Sequence, residues 1–144
     1  MDLKNADRAE PSSIHYRTII MKKKSLTQDN IWTKEPEEHD FPAAQDYLEL
    51  LFEPDQAQKI VEKLKKAPTI TKKSKDILRA SKLALLPETN IHVRENLKKV
   101  EKNKKLSPIL LVRGEHELII ADGYHRLCCS YYLTEDLEVP CRLV

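Results

Sequence analysis

Leu118-Ile119-Ile120-Ala121-Asp122-Gly123-Tyr124-His125-Arg126-Leu127-Cys128-Cys129 is the stretch that decides the fold. Four apolar residues predict a strand, glycine predicts a sharp turn, and the next apolar run predicts a helix with His125 and Arg126 in its first turn. A strand–turn–helix junction of this kind makes an anion site. The first N–H groups of a helix have no partner inside it, and its dipole favours negative charge at that end. Arg126 adds a planar fork of donors suited to phosphate. Gly123 is one of only two glycines in the chain, so its placement at this turn is informative.

Upstream, Pro108 to Val112 is a continuous apolar run that fits a buried strand. Arg113-Gly114-Glu115-His116 is a turn, and Glu117 to Ala121 returns as a second strand, so the two read as a hairpin. Val93, Leu97 and Val100 mark a basic helix from about Val93 to Lys104. Beyond the motif, a helix apolar nearly all round implies burial on most faces, and Pro140 to Val144 ends the chain as a last strand.

The first half has a different period. Residues 1 to about 13 are polar. Ile14 to Met21 carries enough alternation and β-branching for a strand, and 22 to 40 reads as a charged loop that Trp32 pins to the body. Asp40 and Pro42 open a helix running to Phe52. Pro54 opens a second, with Ala57, Ile60, Val61 and Leu64 on one face. A third runs from about Lys72 to Lys82. The expected organisation is an N-terminal arm over 1–40, a helical subdomain over 41–86 and an α/β unit over 87–144, giving an α+β fold class.

Composition sets bounds. The chain has 144 residues, 33% charged and 40% apolar, as expected for a soluble protein of one domain with an extension. Its net charge of +2 does not announce nucleic-acid binding. The lysines are clustered, notably from Lys98 to Lys105, and such runs are usually solvated helix faces. No apolar run approaches the roughly 20 residues that cross a bilayer. Three cysteines, two adjacent, make no disulfide framework, so the expected setting is cytoplasmic. There is no Walker loop, no Gly-x-Gly-x-x-Gly and no serine nucleophile elbow.

The stretch from Lys105 to Val144 resembles the ParB/sulfiredoxin superfamily. The resemblance rests on the strand Ser107-Pro108-Ile109-Leu110-Leu111-Val112, the strand Ile120-Ala121-Asp122-Gly123, the Gly-x-His-Arg turn, and the terminal Val139-Pro140-Cys141-Arg142-Leu143-Val144. Val93-Arg94-Glu95-Asn96-Leu97 sits where the family has the helix before its Pro-Ile strand. The similarity implies a ParB/sulfiredoxin-like small mixed sheet with helices, here carrying an α-helical N-terminal extension, and a bound nucleotide (ATP, ADP or CTP) with Mg²⁺. It places Gly123, Tyr124, His125, Arg126 and Pro108 on the nucleotide. The chemistry of phosphoryl transfer adds Asp122, to hold Mg²⁺ or accept a proton as a catalytic residue, and Arg94 or the catalytic candidate Glu95 to complete the pocket from the preceding helix.

The departures from the family narrow the chemistry. Sulfiredoxin has a cysteine where this chain has Tyr124, and sulfinic-acid reduction needs a thiolate at that position. That activity is rejected. The ParB motif Gly-Glu-Arg-Arg has lost its acid and first arginine, and the motif most similar is the Asp-Gly-His-His-Arg of ParB-like nucleases and free-serine kinases. A nucleotide-binding protein, with NTP hydrolysis or phosphoryl transfer through Asp122, is therefore expected. A ParB-like DNA-binding or nuclease module and a non-catalytic protein-interaction module are the alternatives. Nucleic acid is the less favoured partner. A transition-metal site from His125 and Cys128 with His116 or Cys141 is a further, weaker expectation.

Overall fold

The computed structural model describes residues 27–144, so the strand expected over Ile14 to Met21 lies outside the described residues. The described chain contains six helices, α1 (Gln28–Ile31), α2 (Asp40–Leu48), α3 (Pro54–Lys66), α4 (Ser74–Ser81), α5 (Ile91–Glu101) and α6 (Tyr124–Leu133). It contains four strands, β1 (Ile70–Lys73), β2 (Ile109–Arg113), β3 (Leu118–Asp122) and β4 (Glu138–Leu143). The fold class is α+β.

The strands form one mixed sheet in the order β1-β4-β2-β3. β2 and β3 are the antiparallel hairpin read from the sequence, with an irregularity between Leu110 and Leu111. β4 lies parallel to β2 and antiparallel to β1. The apolar run of β2 has a simple cause, since both faces of the sheet are covered. Ile109 and Leu111 face one core, with Ile77 of α4, Val93, Leu97 and Val100 of α5, and Leu127, Cys128 and Leu133 of α6. Leu110 and Val112, one residue out of phase, face a second core. That core holds Phe41, Ala44 and Leu48 of α2 and Ala57, Val61 and Leu64 of α3.

Some expectations need correction. The helix expected from Lys72 begins at Ser74, and Ile70–Lys73 before it is the edge strand β1. Its β-branched Ile70 and Thr71 favour extended chain, and Lys72 and Lys73 are exposed there. α2 ends at Leu48 rather than Phe52. Asp40 does not cap it in the usual way, because its carboxylate accepts from the Glu37 N–H at 2.9 Å, outside the helix. The basic helix α5 starts at Ile91, where the Asn90 side chain accepts from the N–H groups of His92 and Val93. Trp32 does pin its segment. It is 2% exposed, and the chain on either side exchanges backbone hydrogen bonds with Leu106. No helix among the described residues is long and apolar enough to cross a membrane.

Candidate functional site

β3 ends at Asp122, and Gly123 turns the chain into α6 with φ of 112°. That angle lies in the left-handed region, where a side chain is strained. There is no room for one either. A Cβ on Gly123 would stand 3.0 Å from Nη2 of Arg126 and 3.0 Å from Ile109 Cγ1.

Arg126 is more committed than its sequence position implied. Nε donates to the Ser107 carbonyl at 2.9 Å. Nη2 donates to the Pro108 carbonyl at 3.1 Å and to Asp122 Oδ2 at 2.8 Å. The guanidinium thus laces the start of β2 to the end of β3. Among the described residues no hydrogen bond engages Nη1.

The turn forms one side of a cleft of about 320 Å³. Asp122, Gly123, Tyr124, His125 and Arg126 line it, as does Glu95 from α5. These expected residues are therefore brought together. Arg94 and Pro108 are not among the described residues that line it. Pro108 is buried and contributes its carbonyl to Arg126. The sequence reading missed His92, Asn96 and Lys99 of α5, Lys105 and Ser107 after it, and Glu37, His39 and Asp40 at the start of α2. The run Glu37-Glu38-His39-Asp40 carries the ligand types of a site, but it lies more than eighty residues from the motif in sequence. Only the packing of α2 on the β3 side of the sheet reveals the relation.

Electrostatics divide the cleft. Burial raises the Asp122 carboxyl above its ordinary value; Arg126 opposes the shift, and the neighbouring Asp40 carboxyl, within hydrogen-bonding reach, adds to it. Asp40 is itself 2% exposed. Beside it, His39 Nε2 lies 3.0 Å from Glu37 Oε2 and 3.5 Å from Asp40 Oδ1. The His125 ring centroid lies 4.9 Å from that of His92 and 5.8 Å from that of Tyr124. Burial lowers the His125 pKa, and His92 and Arg126 lower it further. His92 Nδ1 in turn lies 3.6 Å from Glu95 Oε2.

Tyr124, where the resemblance expects a nucleophile or nucleotide contact, has a structural partner. Its hydroxyl donates to the Ala84 carbonyl. Tyr132, two helical turns on, donates to Leu86 at 2.6 Å. Together they fasten the segment between α4 and α5 onto α6. The grouping of His125 and Cys128 with His116 or Cys141 is not assembled. Among the described residues the His, Cys and carboxylate groups with donors within 4.8 Å of one another are Glu37, His39 and Asp40.

Compared with models of known families, with characterised proteins and with solved structures, the chain matches none.

Proposed function

We propose that this chain binds the phosphates of a nucleotide in the cleft at Gly123, on a ParB/sulfiredoxin-like core. The observation that carries the reading is the Asp122–Arg126 turn, a glycine-made helix start opening into a cleft of about 320 Å³ that also holds lysines and carboxylates. The backbone amides after Gly123 point their free N–H groups at an incoming oxyanion. His125, held mostly neutral, offers a hydrogen bond rather than a charge.

The donor set fits a hard cation. The oxygens of Asp122, Asp40 and Glu37, with His39 beside them, suit Mg²⁺ better than a soft metal. Such an ion would neutralise phosphate charge at this wall of the cleft. Asp122 alternatively, where it does not hold the ion, is the residue to accept a proton from an acceptor hydroxyl, and the exposed Glu95 is the second carboxylate on the α5 wall. Turnover, as NTP hydrolysis or phosphoryl transfer, rests on Asp122.

Calorimetry with ATP, ADP and CTP in Mg²⁺ tests the binding reading, with saturable heat for at least one nucleotide expected. No heat with any of them overturns it. Phosphate release that disappears in Asp122→Asn while binding persists would make the protein an enzyme. A second reading has its own observation. Lys98, Lys102 and Lys104 line a shallow groove on the outer side of α5 with Glu95 and Lys99, as a nucleic-acid-binding module would use. It predicts salt-sensitive DNA binding that weakens when those lysines are removed.

A further inference from the structure

We infer that His125 takes up a proton when an oxyanion of the phosphate class enters the cleft, with His92 as its partner, so that binding tightens as pH falls. The inference rests on the phosphate-binding reading above and adds how that site is regulated.

The starting point is that the arginine of the turn is already matched. Arg126 serves two backbone carbonyls and Asp122, whose carboxylate lies 2.8 Å from Nη2. Its charge is largely balanced within the protein. His125 is placed differently. Among the described residues no hydrogen bond or ion pair engages it, and its ring neighbours are His92 and Tyr124. It is half-buried in the first turn of α6 and lines the cleft. A neutral imidazole offers an anion one N–H and one lone pair. The protonated ring offers two N–H groups and a charge.

His92 stands where it controls that charge. The two ring centroids are 4.9 Å apart, with 64° between their planes, and both residues line the cleft. Two cations at that separation repel unless an anion lies against them. Burial, then His92 and then Arg126 hold His125 below its ordinary pKa. An opposite charge at close approach works the other way and favours the protonated ring. The remaining charged groups are engaged elsewhere or exposed. Asp122 is matched to Arg126, and Glu37, His39 and Asp40 face one another at the start of α2. Glu95, Lys99 and Lys105 are exposed, and Glu95 Oε2 lies 3.6 Å from His92 Nδ1. On α4, which also packs against α6, Lys75 pairs with Asp136 and Arg79 with Asp76, and none of these lines the cleft. The proton is therefore gained at His125, the half-buried histidine that the fold keeps neutral.

The test follows the imidazole C–H signals by NMR from about pH 5 to pH 8, the range in which histidine titrates. Of the five histidines, His125→Gln and His92→Gln assign the two of the cleft, and the exposed His116 is the internal control. Should His125→Gln not fold, sequential assignment of isotope-labelled wild type identifies the same signal. Spectra are taken of the protein alone, with ATP and Mg²⁺, with sodium phosphate, and with sodium chloride at matched ionic strength. The His125 midpoint is expected to rise by about one pH unit or more with ATP and with phosphate, as an opposite charge at close approach gives, and to stay in place in chloride. In His92→Gln the midpoint of the protein alone is expected to lie above that of wild type, and the ligands to move it less. Calorimetry is expected to show ATP affinity rising by up to about tenfold from pH 8 to pH 6, with most of that rise lost in His125→Gln. A His125 midpoint that stays in place while ATP shifts other signals overturns the inference and leaves nucleotide binding standing. An equal rise in chloride also overturns it, as a salt effect alone. A midpoint that His92→Gln leaves unchanged overturns the part given to His92. A rise with phosphate, without binding of ATP, upholds the inference and overturns the nucleotide reading. No change with either ligand overturns both.

Discussion

Arg126 joins three acceptors, the Ser107 and Pro108 carbonyls and the Asp122 carboxylate. Truncating it leaves two buried carbonyls short of a donor and Asp122 without its counter-charge, so Arg126→Ala is expected to cost about 3 kcal/mol. Arg126→Lys is expected to recover little, because one ammonium cannot reproduce the planar fork. Urea midpoints for the two variants check this. A loss below about 1 kcal/mol, the range of an exposed pair, would return Arg126 to the role of a free clamp. At Gly123 the positive φ and the 3.0 Å approach of Ile109 add up. Gly123→Ala is expected to lose about 2 kcal/mol, the range for a strained backbone position, measured in the same titrations. His125 supplies a pH signature. Its pKa is lowered in the fold, so the folded state binds its proton less readily than the unfolded chain. Its contribution to stability is whole above the ordinary histidine pKa and is lost as pH falls below it. The melting temperature should decline from pH 7 toward pH 5, and His125→Gln should flatten that decline. The turn itself was legible in the sequence because glycine, histidine and arginine fall within four consecutive residues, Gly123 to Arg126. What Arg126 binds was not legible. Its acceptors are main-chain carbonyls, and nothing in the identities of Ser107 and Pro108 marks them as such.

Among the elements, α6 shows most clearly how pattern becomes packing. Its buried Leu127, Cys128, Cys129, Ser130 and Leu133 explain why the helix reads as apolar nearly all round. Ser130 avoids a polar penalty through its bonds to the Leu127 carbonyl and the buried Ser74 hydroxyl. The thiols of Cys128 and Cys129 are pushed up by burial, and that of Cys141 to about 11. Since the thiolate is the reactive form, iodoacetamide at pH 8 should label none of the three cysteines in the native protein and all three in urea. Rapid native labelling of Cys128 would show that its thiol is reachable in the folded protein, against its place in the core. Other elements were less legible. α5 was visible from Val93, Leu97 and Val100, but its start at Ile91 depends on Asn90, a cap that pattern alone passes over. β1 was hidden because its four residues have no apolar alternation. Its identity comes from pairing with β4, a partner nearly seventy residues away in sequence.

On the scale of the molecule, the division into a helical segment over 41–86 and an α/β unit over 87–144 makes a testable claim about folding. The second core is shared across it. Leu110, Val112, Ile119 and Ala121 meet Phe41, Ala44, Leu48, Ala57, Val61 and Leu64. Ile31, Trp32 and Ile77 enter the other core from the same side of the boundary. Arg142 of β4 reinforces the join. Its Nη1 donates to the last carbonyls of α3, Leu64 at 3.2 Å and Lys65 at 2.8 Å, and it pairs with Glu35. A cation at a helix C-terminus satisfies acceptors that the helix leaves open. A fragment of residues 87–144 would bare one apolar face of β2 and β3 to water. Even at roughly 25 cal/mol per Å² that exposure removes several kcal/mol, comparable with the whole stability of a small domain. Residues 27–144 are therefore expected to melt in one transition. Residues 87–144 alone should show no cooperative melt, and Arg142→Ala should lower the stability of the whole by about 2 kcal/mol. Calorimetric melts of the three proteins check this. A fragment that melts cooperatively would show that the α/β unit folds without its helical partner, and would place the cleft at a junction between two independent bodies.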